Sequence, residues 1–139
     1  MIEIGLYALF QVINGISSLS MMAFPKRFHE SLMKDPERVY QSLGFSPTAI
    51  GMLHNVIRGQ GAALLSISLF MAFTGPHSKQ TFLLMALAAT LTLISHIMTA
   101  VHHARDAKVM AAIGSLKSLY PLLALNAIFA IGGFWIYFQ

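Results

Sequence analysis

The sequence predicts an all-α fold: an integral membrane, antiparallel four-helix bundle with short interfacial helices between the first and second spans. Three observations predict it. Of 139 residues, 56% are hydrophobic and only 10% are charged, against roughly 25% charged in an ordinary soluble domain. Four apolar stretches each approach the ~20 residues that cross a bilayer as a helix. The basic residues gather in two of the three connections, where topology-setting lysines and arginines belong. The length fits one domain covering residues 1–139.

The first span is expected over residues 2–24. It opens MIEIGLYALF, with an acid at Glu3, no basic start and no small-x-small cleavage pattern, so it reads as a retained span and not a signal peptide. Pro25 stops it. In the following connection Asp35-Pro36-Glu37 supplies a cap, a first-turn proline and an acidic start for a short helix, and Gly44 supplies its stop. Val39, Tyr40 and Leu43 give that helix an apolar face suited to lying on a membrane surface. The second span, 47–74, starts at Ser46-Pro47, an N-cap followed by proline at the first helical position. It ends at Thr74-Gly75-Pro76. The third runs over 79–101, with the helical pattern carrying on toward Asp106. The fourth covers 118–138, with Pro121 tolerated in its first turn and Phe134, Trp135, Tyr137 and Phe138 as an interfacial belt.

Lys26, Arg27, Lys34 and Arg38 lie in the first connection and Arg105, Lys108 and Lys117 in the third, against Lys79 alone in the second. The positive-inside rule then puts the first and third connections in the cytoplasm and both termini on the non-cytoplasmic side. The same placement accounts for the pI of 9.7. With no basic helix interleaved with aromatics and no zinc-finger spacing, the expected partner is the lipid bilayer and not nucleic acid. There are no cysteines, which removes disulfides and thiolate chemistry. GxSxG, HExxH and phosphate-cradling glycine loops are missing from the sequence, as are paired carboxylates inside the spans. Hydrolase, nucleotide-binding, zinc-protease and carboxylate-driven pump readings are thereby set aside.

One stretch carries polar chemistry into an apolar span: Gly51–Gly61, GMLHNVIRGQG. An arginine within a span costs about 2.5–3.5 kcal/mol on insertion scales, so something must offset Arg58. Counting at about 1.5 Å per residue puts Arg58 and His96 at a shared depth, roughly 24–26 Å from the non-cytoplasmic face. Asn14 and Asn126 share a shallower level, Ser18 and Tyr120 lie near Arg58, and His54 lies near His103. On the third span Met85, Ala89, Thr92, His96, Thr99 and His103 fall on one stripe.

These positions predict a polar pocket toward the cytoplasmic side that binds or converts a lipophilic small molecule. His54 and His96 would exchange protons and Arg58 would hold a carbonyl or anionic group, in an isomerisation, cyclisation or hydration. Asn55, Thr99, His103, Asn14, Ser18, Tyr120 and Asn126 would line the site. The bland reading has Arg58 snorkelling to the interface to fasten loop carbonyls, with Asn14, Ser18 and Asn126 as interhelical hydrogen bonds. No metal site is expected, since His96 and His103 are about 10 Å apart along the helix axis. No cofactor is identified, although His54 and His96 are candidate axial ligands for a haem between the second and third spans. From a different class, the chain is an accessory or assembly subunit. Its small-residue row Gly51, Asn55, Gly59 and Ala63 would then pack against a membrane-protein partner or a second copy.

Overall fold

A computed structural model describes residues 2–31, 33, 35–105 and 120–139. Lys34, Asp106, Lys108, Lys117 and the expected start of the fourth span at Ser118 lie outside the described residues, as do the side chains of His102 and His103. The elements are α1 (Ile2–Ala23), α2 (Pro25–Ser31), α3 (Pro36–Ser42), α4 (Pro47–Thr74), α5 (Lys79–Arg105) and α6 (Tyr120–Phe138). α1, α4, α6 and the Lys79–Val101 part of α5 are long and apolar enough to cross a membrane. The fold is an all-α membrane bundle of four spanning helices, with α2 and α3 as the short helices between the first two.

Local chemistry sets the boundaries. Pro25 ends α1 and becomes the first residue of α2, so the proline redirects the chain without halting helix formation. Asp35 caps α3, its carboxylate accepting from the Arg38 amide at 3.1 Å. Ser46 caps α4 by accepting from the Ala49 amide at 3.2 Å. The two stops, Gly44 and Gly75, adopt φ of 66° and 76°, a left-handed backbone that a side chain would strain.

The four spans form two pairs, α1 along α4 and α5 along α6, and the pairs touch each other sparingly. The α1–α4 seam is a ladder of polar contacts. Tyr7 Oη donates to the Met71 carbonyl at 3.3 Å, and Gln11 Nε2 to the Ser68 carbonyl at 3.0 Å. Asn14 Nδ2 donates to the Leu64 carbonyl at 3.1 Å and to Ser68 Oγ at 2.6 Å. Below them the helices come close enough that a Cβ on Gly61 would stand 2.8 Å from both Met21 Cβ and the Ser18 carbonyl oxygen. The last rung is Arg58 Nε donating to the Met22 carbonyl at 3.2 Å. Between α5 and α6 the close approach is at Gly133, where a Cβ would lie 2.9 Å from the Phe82 carbonyl oxygen and 3.0 Å from Ala86 Cβ. Small residues thus let each pair meet backbone to backbone.

The pairs join at the end that holds both termini. Phe10 and Phe129 meet edge to face at 5.0 Å within a core that includes Met71, Phe82, Met85, Ala89, Ala130 and Ile136. The Thr74 and Thr81 hydroxyls, 2.6 Å apart, bridge α4 to α5, and Thr81 also donates to the Gly75 carbonyl at 2.8 Å. Toward the α2–α3 end no hydrogen bond or ring contact joins the pairs among the described residues. Among the described residues there, α5 has no buried residue past Ala89 and α6 none before Phe129.

The ladder also fixes relative depth. α1 has 22 residues, roughly 33 Å, enough for a hydrocarbon core of about 30 Å. α4 has 28 residues, and its rung at Arg58 is level with the end of α1. The Pro47–Ile57 part of α4 therefore projects roughly 16 Å beyond the end of α1, and α2 packs against it.

Candidate functional site

The sequence grouped His54, Arg58 and His96; the structure distributes them. Ile57, Gly61, Ser68 and Met71, the buried residues of α4, mark the side turned to α1. Ile67, Met71 and Thr74, which reach the core and α5, lie to one flank of that side. At about 100° per residue His54 and Arg58 fall on the other flank. Arg58 is exposed, and its guanidinium is fastened to the last turn of α1, where carbonyls lack helix partners and carry the negative dipole end. His96 belongs to the continuation of the Met85–Ala89–Thr92 stripe below the core. Its Nδ1 pairs with the Thr92 carbonyl at 2.7 Å. Among the described residues no hydrogen bond or ring contact joins His96 to His54 or Arg58.

The proposed lining residues are similarly divided. Asn14 is engaged in the α1–α4 ladder, and Ser18, fully buried, donates back to the Asn14 carbonyl of its own helix. Asn126 donates to the Leu122 carbonyl one turn back at 2.8 Å. Asn55, Thr99 and Tyr120 are exposed, and the His103 side chain lies outside the described residues. The row Gly51, Asn55, Gly59 and Ala63 is exposed, and a Cβ on Gly51 or Gly59 would meet nothing within 4 Å. α1 approaches α4 along the neighbouring line through Gly61.

Helix phase brings forward another α4 residue that the sequence pattern did not single out. Gln60 continues the α4 stripe of Ile67, Met71 and Thr74, spaced by seven, eleven and fourteen positions on one helix face. Measured from the Thr74–Thr81 bridge, Gln60 and His96 both lie about 21–23 Å down their helices. The Gln60 amide is exposed and makes no hydrogen bond among the described residues. Finding it required knowing on which flank of α4 the second pair sits, which periodicity alone does not say.

A second cluster forms where α2 and α3 meet the projecting start of α4. His29 Nδ1 and Tyr40 Oη are 2.9 Å apart, and the His29 and His54 rings meet edge to face at 5.8 Å. Tyr40 is buried, and it also packs against the Phe45 ring at 6.4 Å. Among the described residues His54 Nε2 is buried with no hydrogen-bond partner, an uncommon state for a polar atom. Burial pushes the His29 imidazole below its usual pKa. His54 adds to that push, and Glu30 opposes it. Burial, and then Glu30, raises the Tyr40 phenol. His29 and Tyr40 sit in connecting segments with no periodic signal to single them out.

Chemically, His96 on α5 and Gln60 on α4 are an imidazole and a carboxamide at similar distances from the Thr74–Thr81 bridge, groups that can donate to and accept from a carbonyl or hydroxyl. The interfacial cluster offers two imidazoles and a phenol. Among the described residues no group of three His, Asp or Glu side chains is placed to hold a metal ion. Comparison of the chain with protein-family models, with curated proteins and with solved structures finds no match.

Proposed function

We propose that this multi-pass membrane protein binds the polar head of a lipophilic small molecule in the gap between its two helix pairs. The ligand would enter from the bilayer on the side away from the termini. His96 is the group that exchanges a proton with it, and Gln60 and Thr92 orient it from the two walls. The supporting observation is positional: Gln60 lies on the α4 flank of Ile67 and Met71 and His96 continues the α5 stripe of Met85 and Ala89, each about 21–23 Å from the Thr74–Thr81 bridge. An unpaired amide and an imidazole are costly to leave facing hydrocarbon, and a bound carbonyl or hydroxyl would satisfy both. Proton transfer at such a group fits an isomerisation, cyclisation or hydration. The exposed Lys26, Arg27, Arg38 and Arg105 lie at the α2–α3 end and Lys79 at the other; by the positive-inside rule the site would open toward the cytoplasm.

The test is native mass spectrometry of the protein released from mild detergent, followed by extraction. A small molecule should be retained by wild type and by Arg58→Ala and lost, about tenfold or more, from His96→Ala and Gln60→Ala (more than 1.4 kcal/mol of binding). Retention by all four, or by none, would count against the gap as the site. The open Gly51–Asn55–Gly59 face favours a second reading, a subunit that docks on another membrane protein. That reading gains if the same spectrum shows a stable hetero-complex with no small molecule.

A further inference from the structure

The interfacial cluster lies outside the gap and serves no part of the proposed chemistry, yet it places two titratable rings in contact across two separate elements. We propose that His29 and His54 form a proton-sensitive latch, which holds the α2–α3 segment against the projecting start of α4 while both rings are neutral and releases it on acidification.

Four observations carry this. The rings belong to different helices, so their contact at 5.8 Å is part of what joins α2 to α4. Among the described residues His54 Nε2 is buried without a partner, so a proton added there would be a buried charge with nothing to accept its hydrogen bond. His29 is held through Nδ1 by the buried Tyr40 of α3, which ties the latch to both short helices. Finally, this start of α4 projects past the end of α1, within reach of water and protons.

The charged surroundings decide the sign. On α2, Lys26 and Arg27 disfavour a further proton, while Glu30 favours one but is itself drawn to Lys26 at 3.9 Å. α3 brings Tyr40, Glu37 and Arg38. On α4, Arg58 lies one turn from His54, and α1 contributes the Met22 carbonyl that Arg58 occupies. With the docked His29 pKa below its free value of 6.5, the released state binds the extra proton. Docking is then fully present above about pH 6.5 and weakens as the pH falls below it, down to the docked pKa.

Hydrogen exchange of the 25–42 amides, corrected for the intrinsic rate and read against α5–α6 as an internal standard, tests this in the full-length protein. Between about pH 7.5 and 5.5 the corrected exchange of that segment should rise roughly three- to tenfold in wild type. In the double variant His29→Phe/His54→Phe, which keeps both aromatic rings but cannot titrate there, it should stay flat. An equal rise in that variant would assign the proton elsewhere and overturn the latch, and so would a flat wild-type profile. Should the variant lose its α5–α6 protection, imidazole NMR of the wild type decides instead: the latch requires the His29 ring to titrate with the exchange transition, and it falls if that ring does not.

Discussion

Replacing Gly61 with alanine tests the α1–α4 seam at its tightest point. The new methyl would stand 2.8 Å from Met21 Cβ and from the Ser18 carbonyl oxygen, and 3.0 Å from the Met22 amide nitrogen. Two of those three atoms are backbone, so α1 itself must retreat, by several tenths of an ångström. The neighbouring rungs have little slack: Asn14 to Leu64 is 3.1 Å and Arg58 to Met22 is 3.2 Å, and a retreat of that size stretches both toward the limit of a hydrogen bond. Each interhelical bond contributes about 0.6 kcal/mol on average in a membrane protein, and overpacking costs a further 1–3 kcal/mol or so. The alanine gains back about 1 kcal/mol of helix propensity, which leaves a net loss of roughly 1–3 kcal/mol. Gly59→Ala is the internal control: nothing lies within 4 Å of its would-be Cβ, so only the propensity gain remains. Both variants should be unfolded by titration with a denaturing detergent and followed by circular dichroism. Gly61→Ala should unfold at clearly lower detergent fraction than Gly59→Ala. Equal midpoints would mean that the seam is looser than the structure shows.

Other perturbations reach separate parts of the molecule. Asn14→Leu removes both donors to Leu64 and Ser68 and should cost about 1–2 kcal/mol in the same titration, with less loss for Asn14→Gln if the longer amide finds Ser68 again. Gly133→Val places branched carbons against the Phe82 carbonyl and Ala86. It should destabilise the α5–α6 pair by about 2 kcal/mol or more, read as faster hydrogen exchange in those two helices. Moving the arginine one turn inward, as Arg58→Ala with Ala62→Arg, separates it from the Met22 carbonyl. This should lower stability by about 1–3 kcal/mol relative to Arg58→Ala alone. Tyr40→Phe deletes the hydroxyl facing His29 and should raise hydrogen exchange in residues 25–42 while leaving α5–α6 unchanged.

The sequence made the spans legible and left their facing directions open. The proline and serine signals at Pro25, Asp35-Pro36 and Ser46-Pro47 mark real helix boundaries, because a missing amide or a capping oxygen acts within one turn. Depth was legible only in part: the count set Ser18 level with Arg58, whereas Arg58 meets the Met22 carbonyl, one turn further along α1, and Ser18 lies beside Gly61. What counting could not supply was the pairing. An apolar stripe against lipid and an apolar stripe against a neighbour look alike in a bilayer, where lipid tails are as apolar as leucine. Gly59 and Gly61 illustrate this: two small residues on one helix, one facing open space and the other pressed on backbone. The same blindness set Arg58 opposite His96, although Arg58 lies on the flank of α4 turned away from the core and α5.

The expense that made Arg58 conspicuous has a structural answer. An arginine at the centre of a span is charged for desolvation on all sides, but Arg58 is level with the final turn of α1, a helix about 33 Å long. Its Nε meets a carbonyl that no amide of α1 satisfies, and the rest of the guanidinium is exposed, free for headgroups or water. One contact thereby offsets two deficits, the unpaired cation and the unpaired helix end. Such a residue anchors α1 against α4 at a fixed height. Beyond that anchor lie the projecting turns of α4, where the His54 ring meets the His29 ring.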